Sequence, residues 1–170
     1  MEPALVGIVG VVIGVLLSNV GTLVLDTRRR RERIRDVQTA LRAEMRTHWH
    51  RLDPSSLEGR ASVIIANIEA SDGYTPFIPR EDTTTIYDAL TSEMHILPND
   101  VIDPVVLYYA HARSIAHFVD DLRSDAFAKL EPSRKVQMYR DYIAMKVQAY
   151  ELAGAAITAI DEALAANRVQ

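Results

Sequence analysis

The chain has 170 residues, 23 acidic against 19 basic, a net charge of −4 and no cysteine. The missing thiols exclude disulfides, thiolate nucleophiles and sulfur-ligated zinc, and they fit a reducing compartment. The charge is unevenly spread. Residues 26–51 hold nine arginines against four acids, a balance of +5, whereas residues 52–170 hold ten Lys/Arg against eighteen Asp/Glu, a balance of −8. The basic block lacks interleaved aromatics and the acidic remainder repels phosphate, so no nucleic-acid partner is expected.

The first predicted element is a membrane span. Ala4 to Leu25 is a run of 22 uncharged, mostly apolar residues, which as a helix is about 33 Å long and matches a hydrocarbon core of about 30 Å. Arg28, Arg29, Arg30, Arg31, Arg33 and Arg35 follow it, while only Glu2 and the α-amino group precede it. Arginines beside a span stay on the cytoplasmic side and can also contact anionic lipid headgroups. The N-terminus is therefore expected outside and residues 26–170 in the cytoplasm. A cleaved signal peptide fits less well, because the leading segment is acidic, the apolar run is too long and Val24-Leu25-Asp26 offers no small-x-small site. Within the run, Gly7, Gly14 and Gly21 recur every seven residues, and Gly10, Gly14 and Ser18 form a small-xxx-small series. One helix face would carry all five, which predicts a helix–helix contact in the membrane and a homo-oligomer. Glycine is also simply common in membrane helices.

Beyond the span the helical pattern continues. Ile34, Val37, Leu41, Met45 and Trp49 follow one face at spacings of three and four, and no Gly or Pro intervenes between Gly21 and Pro54. The spacing predicts one helix through span and stalk, with Ile34, Val37, Leu41 and Met45 available to extend a parallel contact. Asp53 is expected as the N-cap of the next helix with Pro54 at its first position. That helix covers 57–70 with Val63, Ile64, Ile65 and Ile68 as its apolar side. Residues 71–79, with Asp-Gly and two prolines, read as a loop. Asp82 and Thr83 cap a helix to about Leu97 whose core face is Ile86, Leu90 and Met94. Two stronger amphipathic helices follow, joined by a turn at Leu130-Glu131-Pro132-Ser133. In the first, Val105, Tyr108, Ala112, Ile115, Val119 and Leu122 form the stripe. In the second, Val136, Ile143, Tyr150, Ile157 and Leu164 recur every seven residues, joined by Tyr139, Ala153 and Ile160. No credible pair of strands exists, so the fold class is all-α.

Candidate sites are weak. Glu44 and His48 share a helical face at metal-ligand spacing, but His48 and His50 point about 200° apart on a helix. His111 and His117 also diverge, and His117 with Asp120 and Asp121 falls on a polar face. There is no glycine-rich phosphate loop and no G-x-S-x-G. The carboxylate pairs Asp120-Asp121 and Asp161-Glu162 point apart on a helix. No catalytic, metal or cofactor site is therefore expected. Tyr108, Tyr139 and Tyr150 read as core, whereas Tyr109 and Tyr142 are expected at the surface as a partner-facing pair. Tyr74, Phe77 and Ile78 in the loop are expected to pack onto the bundle, with a binding loop as the alternative.

The opening Ala4-Leu5-Val6-Gly7-Ile8-Val9-Gly10-Val11-Val12-Ile13-Gly14, the Arg28–Arg31 stop and the arginine-rich helix through Arg42-Ala43-Glu44 resemble uncharacterised single-pass membrane proteins of bacteria and their prophages. The resemblance covers the first fifty residues and implies a bacterial or phage inner-membrane location. The expected organisation is a transmembrane helix with a short outer N-terminus over 1–27, a basic juxtamembrane helix over 28–53 and a cytoplasmic helical domain over 54–170. The expected function is non-enzymatic, a membrane-anchored interaction or tethering module with a protein partner. The alternative is a membrane-perturbing effector or lysis-type protein acting through an oligomerising span.

Overall fold

The computed structural model describes the backbone of residues 2–71, 73–80 and 84–166, and within those ranges the side chains from Leu25 onward. Helix α1 runs Glu2–Trp49 and is followed by a 3-10 turn at His50–Leu52. The chain divides into two compact units, Met1–Val37 and Gln38–Gln170. In the first, Arg28, Arg29, Arg30, Arg31, Arg33 and Arg35 are all exposed. Among the described residues no helix is long and apolar enough to cross a membrane. The predicted span lies outside the side chains described except for Leu25, and so do Gly7, Gly10, Gly14, Ser18 and Gly21.

The second unit is all-helical, with no strand among the described residues. Helix α2, Pro54–Ala70, starts as its sequence dictates. Pro54 takes the first position, and the Asp53 carboxylate accepts the Ser56 N–H at 3.0 Å and the Ser55 hydroxyl at 2.6 Å. These bonds hold the Asp53 carboxyl below the usual carboxylate range, with Ser55 the main cause. The buried face of α2 is Leu57, Ala61 and Ile68; Val63 is 62% exposed and leaves the core face expected for it. Its neighbours Ile64 and Ile65 are half-buried, as three consecutive helical residues must fan across about 200° and cannot all face inward.

The helix expected to Leu97 is two shorter pieces, α3 at Thr85–Leu90 and a 3-10 stretch at Thr91–Ile96; its proposed caps Asp82 and Thr83 lie outside the described residues. The tighter 3-10 winding shifts the inward face. Tyr87, Met94 and Leu97 are buried, while Ile86 and Leu90 are only half-buried. Helix α4, Asn99–Leu122, tolerates Pro104 inside it, near its N-terminal end. A single turn, α5 at Asp125–Ala128, is capped by the Ser124 hydroxyl on the Phe127 N–H and seats the buried Phe127. Helix α6, Pro132–Ala166, packs most extensively on α4 and then on α2. The common core is Ile68 from α2, Val119 and Leu122 from α4, Phe127, and Val136, Tyr139 and Tyr142 from α6.

The two compact units meet between Val37 and Gln38, inside the stretch 28–53 expected as a juxtamembrane helix. Leu41 and Met45 of α1 are fully buried, so this end of α1 belongs to the bundle and those two residues are not free to extend a stalk contact. It meets the other helices through long side chains. Trp49 stacks on Tyr150 at 5.0 Å and 10°, and Arg42 Nε lies 2.6 Å from Asp161 Oδ1 in a close ion pair.

Candidate functional site

Helix α1 delivers one carboxylate into the bundle. Glu44 is 8% exposed and accepts three hydrogen bonds, from the Ile86 N–H at 2.7 Å, the Tyr87 N–H at 3.1 Å and the Tyr109 hydroxyl at 2.7 Å. Both backbone donors belong to the first turn of α3, whose own N-cap Thr84 makes no capping bond to the backbone. The first-turn N–H groups of a helix have no partner within it. Glu44 supplies that partner from a distant part of the chain. Tyr109 stacks on Tyr87 with centroids 4.0 Å apart, and Tyr108 meets Tyr109 edge-on at 4.9 Å. Arg113 pairs with Asp88 and sits 5.5 Å from the centre of the Tyr87 ring. Burial first, and then the Glu44 carboxylate, raises Tyr109 far above the ordinary tyrosine range, which keeps its proton in place as a donor. The carboxylate is committed to protein donors. Its role is that of a joint between α1, α3 and α4.

A cavity of about 350 Å³ opens between α4 and α6. Ala112, Ala116 and Ala149 leave it space, and Leu52, Ile115 and Val119 make its apolar wall. Its polar groups come from every side. The Tyr108 hydroxyl lies 3.3 Å from His48 Nδ1, and the buried Lys146 Nζ lies 5.3 Å from the centre of the Tyr142 ring. Arg80 binds the Asp120 carboxylate through Nε at 3.1 Å and Nη2 at 2.9 Å. An apolar pocket with a few convergent polar groups is the ordinary form of a small-molecule site.

Other candidates separate. Glu44 and His48, paired at ligand spacing in the sequence, serve different partners, Glu44 capping α3 and His48 meeting Tyr108. His111 is engaged with the Met145 carbonyl at 2.9 Å, and His117 is exposed. Among the described residues no three His, Asp or Glu side chains gather as a metal-ligand set. Tyr109 and Tyr142 are buried, not surface residues as their spacing suggested, because each packs against a neighbouring tyrosine. The 73–80 loop divides its apolar groups. Ile78 is buried, Tyr74 is half-buried and Phe77 is 83% exposed. Two lysines escaped the sequence reading. Lys135 and Lys146 are both buried on the core face of α6, and Lys135 Nζ reaches the Tyr74 carbonyl at 3.4 Å. The available signal was their spacing from Tyr142 and Tyr139, seven residues in each case.

Comparison with family models, with curated proteins and with solved structures finds no match.

Proposed function

We propose that this chain is a single-pass protein of a bacterial inner membrane, N-terminus outside, whose cytoplasmic helical bundle is a non-enzymatic tethering module for a protein partner. The span from Ala4 to Leu25 would act as anchor and, through Gly7, Gly10, Gly14, Ser18 and Gly21, as the contact of a homo-oligomer. The observation that carries the reading is one of order along a single helix. An uncharged run of membrane length is followed by six exposed arginines, all within α1. A basic block in that position retains its side of the membrane in the cytoplasm and favours anionic headgroups.

The test joins topology to assembly. A reporter fused after Gln170 should be active where it needs the cytoplasm and silent where it needs export, and neutralising Arg28–Arg31 should weaken that bias. In a membrane two-hybrid assay on residues 1–52, Gly14→Ile should lower self-association and Val15→Ile should not. An exported C-terminus overturns the anchor and its orientation. Collapse of membrane potential on expressing residues 1–52 alone replaces the tether with a membrane-perturbing effector.

A further inference from the structure

A second cavity, of about 420 Å³, lies between α2 and α6 beside the 73–80 loop, wholly within the Gln38–Gln170 unit. Its walls are apolar, with Leu57 from α2 and Tyr139 and Ile143 from α6. Its charged lining includes Arg51, the last residue of the basic block, and Arg60 from α2. Arg51 and Arg60 are both exposed, and neither makes an ion pair or a hydrogen bond to a described residue. No Asp or Glu lines the cavity among the described residues, although acids outnumber Lys and Arg eighteen to ten from residue 52 onward. Arg60 does act on one acid outside the lining, its charge helping to lower Asp53.

Two further side chains matter. Tyr139 is 5% exposed and lines the cavity, and its hydroxyl is not among the buried polar atoms left without a partner, so it is available to the cavity. Burial, with Tyr142 and Tyr74, pushes it up to about 12 while Arg60 acts in the opposite sense, so it remains a proton donor at neutral pH. Phe77 stands at the same cavity with most of its ring in water.

These features ask for opposite halves of one ligand. A bare inorganic anion would satisfy the guanidiniums and leave the apolar wall and Phe77 uncovered. A neutral apolar molecule would do the reverse. We propose that the α2–α6 cavity binds a small organic anion, an aryl or short alkyl phosphate or carboxylate, whose charged group is held by Arg51 and Arg60 and whose apolar body lies on Leu57 and Ile143 against Phe77. Guanidiniums suit this task because their planar fork matches phosphate and carboxylate oxygens, and the Tyr139 hydroxyl adds a neutral donor. The volume falls within the usual range of about 300–1,000 Å³ for ligand pockets. The site is independent of how the chain is anchored.

The probe is 1-naphthyl phosphate, titrated by calorimetry into the full chain in lipid nanodiscs, with empty nanodiscs subtracted. Saturable one-site binding is expected, with Kd on the order of 10–100 µM for a ligand of this size. Inorganic phosphate should bind at least roughly ten-fold more weakly, as should the probe to the Arg51→Gln/Arg60→Gln variant, a difference of about 1.4 kcal/mol. Tyr139→Phe should weaken the probe a few-fold. Phe77→Ser, at a side chain that the fold does not bury, provides a variant that leaves folding intact and should weaken the probe while leaving inorganic phosphate unchanged. The absence of saturable binding overturns the proposal. Equal affinity for inorganic phosphate, or full affinity in the arginine and Phe77 variants, overturns it as well, since the first makes the site a basic patch and the second puts the probe elsewhere.

Discussion

Glu44 shows how a single side chain can organise a bundle. Three donors converge on it at 2.7 to 3.1 Å, two of them from the open end of α3. Glu44→Ala should leave all three donors buried and unsatisfied, at a cost of roughly 3 kcal/mol. Glu44→Gln keeps one acceptor oxygen but turns an amide N–H₂ toward a donor, and should cost clearly less. Thermal unfolding of the full chain followed by far-UV circular dichroism measures both, and near-UV signal reports the Tyr87–Tyr109 stack. A cost below about 1 kcal/mol for the alanine variant would show that α3 is held by packing alone. In the sequence Glu44 was legible only as a helical acid four residues before His48. Its partners lie 42, 43 and 65 residues away, and spacing along one helix carries no information about contacts at that range. Gln38 is a contrasting case, fully buried with neither amide atom hydrogen-bonded to a described residue.

At the scale of elements, helix positions were read well and helix faces less so. The Asp53–Pro54 start of α2 and the helix end before Pro98 follow from backbone chemistry local to those residues, whereas α6 starts at Pro132, inside the stretch 130–133 expected as a turn. In α4 the predicted stripe is buried at Val105, Tyr108, Ala112, Val119 and Leu122, with Ile115 half-buried at the cavity wall. In α6 Val136, Tyr139, Ala153, Ile160 and Leu164 are buried as expected, but Ile143, Tyr150 and Ile157 are only half-buried, and Tyr142, Ala149 and Ala156, one step round the helix, are buried with Lys135 and Lys146. The error has a physical cause. Apolar periodicity weights isoleucine above alanine and lysine, but closely approaching helices favour small residues, and a lysine can bury its stem while its ammonium finds a polar neighbour. Helix interiors also make a direct prediction. Gly59 lies within α2, is exposed, and a Cβ there would meet nothing within 4 Å. Gly59→Ala should therefore stabilise by about 0.5–1 kcal/mol, since alanine loses less backbone entropy on folding. Differential scanning calorimetry tests it, and a lowered midpoint would mean that α2 is not helical at Gly59 under those conditions.

At the scale of the whole molecule, the open question is where the independently folding part begins. Charge and periodicity place the boundary at Asp53–Pro54, because the basic helix before it looks like a solvated stalk. The bundle nevertheless takes in α1 from Gln38 onward. The stalk and the core share the same spacing of three and four, so the pattern of Leu41, Met45 and Trp49 could not say whether their cover is another copy of the chain or the chain's own helices. Deleting this segment has consequences that can be sized. Leu41 and Met45 are fully buried, and burying such side chains contributes about 1.5–3 kcal/mol each. The three donors to Glu44 would be orphaned and the Trp49–Tyr150 stack lost. The sum is on the order of the whole stability of a small domain, about 5–15 kcal/mol. A fragment of residues 38–170 should therefore melt cooperatively, whereas a fragment of residues 54–170 should be helical but loosely packed, with a broad melt and strong binding of a hydrophobic dye. Equal, sharp melts for the two fragments would show that α2 to α6 form a complete core and that the end of α1 merely rests on it.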